Sequence, residues 1–149
     1  MVDFHNPIAI ASDHAGFCLK EYLKEKLLEE GFIFNDFGTF SKQSTDYPDT
    51  AHPLAKAIQD KNFNGGIVIC GSGNGMAMVA NKYRDIRAAV CWNEESTRLS
   101  RQHNNANVIA LPARFLSQEE VLKLVRIFFT TGFEGGRHER RVMKISEVL

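Results

Sequence analysis

The stretch from residue 66 to residue 82 constrains the fold most, because it joins an apolar run, a glycine-rich loop and a helix-forming run. Residues 67–69 are Ile, Val and Ile, which is typical of a strand buried in a parallel sheet. Cys70 ends the run, and three glycines follow within five residues before residues 76–82 favour a helix. A strand, a glycine loop and a helix in succession direct backbone N–H groups toward a point beyond the strand. The sequence therefore predicts an anion site with a thiol beside it.

Two common phosphate-binding loops do not match this segment. A Walker A motif ends in Gly-Lys-Ser/Thr, and the first lysine after this loop is Lys82. A dinucleotide-binding fingerprint requires a third glycine where Met76 stands, and an acidic residue that closes a strand about 20 residues further on. The segment alone leaves one plain alternative, a small buried cysteine followed by a structural turn. Three closely spaced glycines are more than such a turn needs, and they favour the anion site.

Length and composition narrow the class of protein. A chain of 149 residues is long enough for a substantial core, so we expect one domain over residues 1–149. Eighteen basic and eighteen acidic residues balance, which predicts neither a nucleic-acid partner nor an anionic membrane partner. No apolar run approaches membrane-spanning length, and the first residues lack the pattern of a signal peptide.

The cysteines predict a reducing compartment. Cys18, Cys70 and Cys91 are odd in number and widely spaced, with no Cys-x-x-Cys pair. Such a set is typical of reduced thiols in a cytoplasmic protein, and it argues against a disulfide framework or a thiolate zinc site. No set of His, Asp and Glu shows metal-ligand spacing either, so the sequence predicts no metal.

Strand-like and helix-like runs alternate along the chain. The predicted strands cover residues 7–12, 32–37, 66–70, 86–91 and 107–111. The predicted helices cover residues 15–30, about 50–60, 76–82, 94–103, 117 to near 132 and a last segment from 134. A Ser-x-x-Glu capping box at residues 117–120 marks the start of the fifth helix. Five strands separated by helices predict a three-layer α/β/α fold with a doubly wound parallel sheet.

Polar residues that follow the predicted strands are the candidate site residues, because ligands of such sheets bind beyond the carboxyl ends of the strands. Asp13 and His14 follow the first strand, residues 70–75 follow the third, and Arg114 follows the fifth. His103 ends the helix before the fifth strand, so topology places it at the opposite edge of the sheet. One subunit would therefore keep His103 away from the thiol, and a second subunit would bring another copy of it back.

Six motifs, in order along almost the whole chain, resemble those of type B ribose-5-phosphate isomerases. They are Ser-Asp-His-Ala-Gly at residues 12–16, Thr-Asp-Tyr-Pro at 45–48, Cys-Gly-Ser-Gly-Asn-Gly at 70–75, Ala-Asn-Lys at 80–82, Ser-Arg-Gln-His-Asn-Asn at 100–105 and Glu-Gly-Gly-Arg-His at 134–138. The family also includes allose-6-phosphate and galactose-6-phosphate isomerases. The resemblance implies a flavodoxin-like (Rossmann-like) sheet and a metal-free, cofactor-free aldose–ketose isomerisation of the pentose phosphate pathway. It also implies a homodimer, or a tetramer, whose sites take residues from both subunits.

The resemblance assigns the base and the groups that stabilise the intermediate. Moving a carbonyl from C1 to C2 of a sugar phosphate requires removal of a carbon-bound proton, and Cys70 matches the family's base. A free thiol is only a few per cent thiolate at neutral pH, so the loop and the helix N-terminus must favour the thiolate. Backbone N–H groups of the loop would stabilise the cis-enediolate oxygens, as an oxyanion hole does. The loop residues expected to bind substrate are Gly71, Ser72, Gly73, Asn74 and Gly75.

Two positions in and after the loop refine this assignment. Ser72 stands where the family carries Ser or Thr, and its hydroxyl is expected to hydrogen-bond the thiolate or a substrate oxygen. A loop-stabilising hydroxyl is the alternative. Met76 stands where some members carry a glutamate base in place of the cysteine. Cys70 together with Met76 therefore indicates the cysteine-dependent type.

Ring opening must precede isomerisation, because sugar phosphates in solution are mostly cyclic. His103 matches the residue assigned to that proton transfer, and imidazole suits the task near neutral pH. A histidine at the end of a helix is otherwise often only a partner of the helix dipole. Asn104 matches a contact to a substrate hydroxyl. Asp13 is expected to bind hydroxyls or assist ring opening, with a helix cap as the alternative.

The phosphate group requires cations. Arg137 and Arg141 are four residues apart, so a helix presents both on one face, where two guanidinium groups grip one phosphate. Without the resemblance, the spacing alone favours a solvated basic face shared with Arg140. Arg114 and His14 match further ligand-binding positions, and His138 borders the site without a step of its own.

The sequence thus predicts a cytoplasmic isomerase that interconverts ribose 5-phosphate and ribulose 5-phosphate. The nearest alternative is the same chemistry on a hexose phosphate. A non-catalytic module that binds a phosphate or nucleotide is the alternative from another class. Such a module has no need of a thiol, so Cys70 and His103 favour the enzyme.

Overall fold

The computed structural model describes residues 6–147, within which five strands and six helices alternate. The strands are Ile8–Ser12 (β1), Phe34–Asp36 (β2), Gly66–Cys70 (β3), Ala88–Val90 (β4) and Val108–Pro112 (β5). The helices are Phe17–Leu28 (α1), Tyr47–Gln59 (α2), Asn74–Ala80 (α3), Glu94–Gln102 (α4), Gln118–Thr130 (α5) and Arg137–Lys144 (α6). The predicted α/β fold with five parallel strands is confirmed. The prediction about a signal peptide concerns the first residues, of which 1–5 lie outside the described residues.

The sheet has the order β2-β1-β3-β5-β4, and every neighbouring pair is parallel. The common flavodoxin order is 2-1-3-4-5, so the last two strands are exchanged here. As a result β5 lies directly beside β3, and Cys70 pairs with Pro112. This exchange places the loop after β5, which carries Arg114, next to the glycine loop after β3.

Two apolar layers cover the two faces of the sheet. One contains side chains of α1 and α5, among them Leu23 and Phe128. The other contains side chains of α2 and α3, among them Leu54 and Met76. All residues of β1, β3 and β5 are buried, which explains their almost continuous apolar sequences. No helix within residues 6–147 is long and apolar enough to cross a membrane.

The edge strands and the helices α1, α2 and α3 differ from their predicted bounds by two or three residues at one end or both. β2 and β4 each have three residues, fewer than predicted, and both lie at a sheet edge, where only one side is paired. Helix α2 begins at Tyr47 rather than near residue 50, because Pro48 fits the first turn, where no N–H donor is needed. The capping box of α5 is confirmed, since Ser117 and Glu120 each accept a hydrogen bond from the other's backbone N–H.

A buried lysine joins α1 to β2. The Lys20 side chain is fully buried, and its ammonium group hydrogen-bonds to Asp36 and, at 3.0 Å, to Glu21. Lys24 contacts the same Asp36 carboxylate at 2.7 Å. Burial alone would raise the pKa of Asp36, but the hydrogen bonds from Lys20 and Lys24 lower it overall. The Phe40 ring covers the Lys20 ammonium at 4.9 Å.

Asp36→Asn is expected to destabilise the protein by about 3–5 kcal/mol, the cost of breaking a buried ion pair on one side. Because the folded pKa of Asp36 is lowered, its contribution is full above the unfolded pKa and disappears as pH falls through the folded pKa. Urea unfolding of both proteins at neutral and acidic pH measures this, and the difference should shrink in acid. Asp60→Asn is the matched control, since the exposed Lys56–Asp60 pair is worth at most about 1 kcal/mol. Equal losses in the two variants would contradict the prediction.

Candidate active site

Cys70 ends β3 at the floor of an open cleft of about 330 Å³ at the carboxyl edge of the sheet. Six predicted site residues line this cleft: Asp13, Cys70, Gly71, Ser72, Gly75 and Arg114. Tyr47 and Phe115 line it as well. Three polar segments that follow β1, β3 and β5 therefore meet at one edge, as parallel strands require.

A different structural constraint disfavours a side chain at each of the three glycines in the loop after Cys70. Gly73 has a φ of +78°, a left-handed conformation in which a side chain is strained. A Cβ atom on Gly71 would lie 3.1 Å from Nη1 of Arg114, so the guanidinium group lies over this residue. A Cβ atom on Gly75 would lie 2.7 Å from Cζ of Tyr47, which is too close. The glycine density thus allows Arg114 and Tyr47 to close directly on the loop.

The loop presents uncommitted N–H donors to the cleft. Among the described residues, no acceptor takes the backbone N–H of Gly71, Ser72, Gly73 or Gly75. The N–H of Asn74 donates to Oγ of Ser72 at 3.3 Å, so this hydroxyl supports the loop and keeps its own proton to donate. Cys70 is buried next to these donors. An anion formed above the thiol would meet several N–H groups at once.

Two polar side chains after β1 are held in place. Oδ1 of Asp13 accepts a hydrogen bond from the Gly16 N–H at 3.0 Å. This bond lies in the turn before α1, whose N-cap is Gly16, so Asp13 does not cap the helix itself. Within residues 6–147, no protein donor reaches the other carboxylate oxygen of Asp13. Nδ1 of His14 accepts from the Thr45 N–H at 3.2 Å, which leaves Nε2 to carry the proton of the neutral ring. His14 does not line the cleft itself.

A second polar cluster surrounds His103, which follows the last turn of α4. The rings of His103 and His138 stack with centroids 4.2 Å apart and planes inclined by 7°. Oε2 of Glu134 lies 3.8 Å from Nε2 of His103 and 3.7 Å from Nε2 of His138. Partial burial lowers the pKa of His138, and the neighbouring His103 and Arg137 lower it further. The fold therefore assembles two imidazoles around one carboxylate.

The remaining predicted residues lie near this second cluster or beside the loop. Arg137 and Arg141 are exposed on α6, one turn apart, as the spacing predicted. Asn104 lines another cavity of about 940 Å³ between the β4 edge and the C-terminal segment. Asn74 lines a different cavity, together with Val90, and a Cβ atom on Gly73 would lie 3.2 Å from the backbone of Leu111.

The two clusters lie at different places on the subunit. Cys70 pairs with Pro112 at the carboxyl end of β5, whereas His103 lies five residues before the amino end of that strand. None of His103, Asn104 and Arg137 lines the cleft of Cys70. The separation expected from topology is thus present within one subunit.

The whole chain matches known isomerases. The family model for Ribose/Galactose Isomerase matches residues 8–145. Ribose-5-phosphate isomerase B of Escherichia coli (strain K12) is 42% identical over 141 residues, which cover 95% of each chain. The chain belongs to the ribose/galactose isomerase family. Membership confirms the family that the six motifs predicted.

Solved structures of family members share this fold. The ribose 5-phosphate isomerase of Thermotoga maritima has 49% sequence identity and a TM-score of 0.94, covering 97% of this chain and 99% of that one. Ribose-5-phosphate isomerase B of Mycoplasma genitalium, solved with bound ribulose-5-phosphate, has 40% identity and a TM-score of 0.91. The matched parts cover 97% of this chain and 96% of that chain. The TM-scores show that this chain shares its overall fold with both solved isomerases.

Sequence reasoning missed three residues of the two clusters. Tyr47 belongs to the Thr-Asp-Tyr-Pro motif, but only the early start of α2 shows that its ring reaches Gly75. Phe115 follows Arg114 directly and lines the cleft, although it is 61% exposed. Glu134 opens the last family motif, and its spacing of four from His138 was the available signal.

Proposed function

We propose that this protein interconverts D-ribose 5-phosphate and D-ribulose 5-phosphate in the cytoplasm through a cis-enediolate. The observation that carries the proposal is the position of Cys70, a buried thiol beneath uncommitted N–H groups of a glycine loop. The bound ribulose-5-phosphate of the Mycoplasma genitalium relative supports the substrate. Free cysteines at positions 18, 70 and 91 are compatible with a reducing compartment.

Cys70 acts as the base of the isomerisation. Its thiolate removes the proton from C2 of the open-chain aldose, and the electron pair moves into a C1–C2 double bond while the C1 carbonyl becomes an enediolate oxygen. The N–H groups of Gly71 and its neighbours stabilise that negative oxygen, because they are fixed before it forms. A proton then passes from the C2 hydroxyl to the C1 oxygen, and the thiol returns its proton to C1 as the C2–O bond becomes the carbonyl, which completes the ketose.

Phosphate binding and ring opening require the second cluster. His103 transfers the proton that opens the furanose ring, and Asn104 and Asp13 bind sugar hydroxyls. Arg137 and Arg141 bind the phosphate, Arg114 adds donors at the cleft of the thiol, and His14 adds a donor from the segment after β1. Since one subunit separates His103 from Cys70, the complete site is formed between two subunits, each of which supplies one cluster.

The protein, treated exhaustively with EDTA, is expected to isomerise ribose 5-phosphate faster than allose 6-phosphate or galactose 6-phosphate. Activity should survive the EDTA treatment, because the loop N–H groups stabilise the enediolate without a metal ion. In D₂O the Cys70 thiol exchanges its proton with solvent during some turnovers, so a fraction of the ribulose 5-phosphate should gain deuterium at C1, which proton NMR detects. Retention of the original hydrogen in every product molecule would favour a hydride shift over the proton transfer proposed here. A loss of activity restored by a divalent ion would contradict the metal-free mechanism. A faster isomerisation rate with one of the hexose phosphates would identify that sugar phosphate as the substrate instead.

A further inference from the structure

We propose that His103, Glu134 and His138 form a binding site for a divalent transition-metal ion of the zinc class. The three side chains offer two imidazole nitrogens and a carboxylate oxygen, all within 4.8 Å of one another. Two histidines with one glutamate are a ligand set of tetrahedral zinc sites, in which a fourth position stays open for water. The inference concerns binding, and it goes beyond the isomerisation proposed above.

The carboxylate needs little movement to bind one ion, whereas one of the two imidazole rings must turn. Zinc–nitrogen and zinc–oxygen bonds of about 2.0–2.2 Å place two ligand atoms of a tetrahedral ion roughly 3.3 Å apart. Oε2 of Glu134 lies 3.7 and 3.8 Å from the two Nε2 atoms, so it must approach each by about half an ångström. The planes of the stacked rings are inclined by only 7°, so their Nε2 lone pairs lie in nearly parallel planes, and one ring must tilt for both to converge. His103 has room for this tilt, because its side chain is 36% exposed.

The backbone brings the three residues together before any ion arrives. The Glu134 N–H donates to the Gln102 carbonyl at 3.0 Å, which joins the segment before α6 to the end of α4. Arg101 donates from Nε to the Thr131 carbonyl at 3.2 Å and fixes the same junction. Glu134 and His138 are four residues apart, and the N–H of His138 donates to Gly135. The site is therefore largely preformed, and binding costs little ordering of the chain.

The donor set decides which ions fit. Imidazole nitrogen suits Zn²⁺ and its transition-metal neighbours, whereas Mg²⁺ and Ca²⁺ require oxygen ligands. The positive charges of Arg137 and Arg141 oppose a cation here, and the Glu134 carboxylate supplies the compensating charge. We therefore expect a site that responds to free Zn²⁺ and ignores Mg²⁺ at equal concentration.

Occupation of the site would stop the isomerase. A metal ion on Nε2 of His103 uses the lone pair with which this residue moves protons during ring opening. Inhibition by Zn²⁺, reversed by EDTA, is the expected consequence. This consequence rests on the proposed role of His103, whereas the binding of the ion does not.

Calorimetric titration of Zn²⁺ into a variant that carries both Cys18→Ala and Cys70→Ala tests the binding without interference from these two thiols. One ion per chain is expected. Glu134→Gln and His138→Gln, each added to that background, should weaken binding by about 10- to 100-fold, at least the loss seen when an outer partner of a metal ligand is removed. His52→Gln is the matched control, since His52 lies elsewhere and pairs with Tyr83. Thermal unfolding of each variant shows whether the buried His138 position tolerates the change, and the exposed Glu134 position provides the second test.

Co²⁺ gives an independent readout on the wild-type protein. Bound at this site, it should show d–d absorption bands without a thiolate charge-transfer band. A charge-transfer band, or unchanged Zn²⁺ affinity in both Glu134→Gln and His138→Gln, would overturn the proposal. Binding at the expected site without inhibition of the isomerase would support the metal site and contradict the role of His103.

Discussion

Cys70→Ala is expected to abolish isomerisation while the protein stays folded. The change removes the base, and loss of a positioned acid–base group costs about 10²- to 10⁴-fold in rate. The side chain is small and only 5% exposed, so the cost in unfolding free energy should be about 1 kcal/mol, typical of a single substitution. Steady-state kinetics and thermal unfolding of the same preparation measure both effects. Near-normal turnover would rule out Cys70 as the base.

Cys91→Ala is the matched control for this loss. Cys91 is also buried, but it lies beside Ser100 in the apolar layer and does not line the cleft. Its replacement should leave turnover per folded molecule unchanged. Iodoacetamide gives a second comparison, since burial raises the pKa of Cys91 and only thiolates react readily. In a Cys18→Ala background, which removes the exposed thiol, alkylation should occur first at Cys70, and substrate should slow it.

Local sequence patterns predicted the parts of the fold that depend on neighbouring residues. The apolar run of residues 67–69 and the Ser117 capping box each specify a local conformation, and the structure confirms both. Cys70 could be located at the end of its strand for the same reason, since the strand and the glycine loop adjoin each other in the chain.

Local sequence patterns could not predict the contacts between segments that are far apart in the chain. The exchange of β4 and β5 depends on how whole strands pair, and no local pattern encodes it. His103 and Glu134 are 31 residues apart, and they meet only because the segment before α6 folds back on the end of α4. The sequence therefore showed no metal-ligand spacing around His103, although the folded chain places two further ligand atoms beside it.

Inactive Cys70→Ala and inactive His103→Ala proteins are expected to regain activity when they are refolded together. If each site takes Cys70 from one subunit and His103 from the other, a mixed dimer contains one site with both lesions and one with neither. Random mixing makes about half of the dimers mixed, and each of these has one intact site of two. Recovery should therefore approach roughly a quarter of the wild-type activity, measured per subunit by the isomerase assay.

The control for this experiment uses two lesions from the same cluster. His103→Ala mixed with Arg137→Ala should recover nothing, because both residues come from the same subunit at each site and every site of a mixed dimer then carries one lesion. Differential affinity tags confirm that mixed dimers have formed in both experiments. Confirmed mixed dimers of Cys70→Ala and His103→Ala without activity would mean that both residues act within one chain. The separation of the two clusters in one subunit would then require a rearrangement of the fold before catalysis, and not a second subunit.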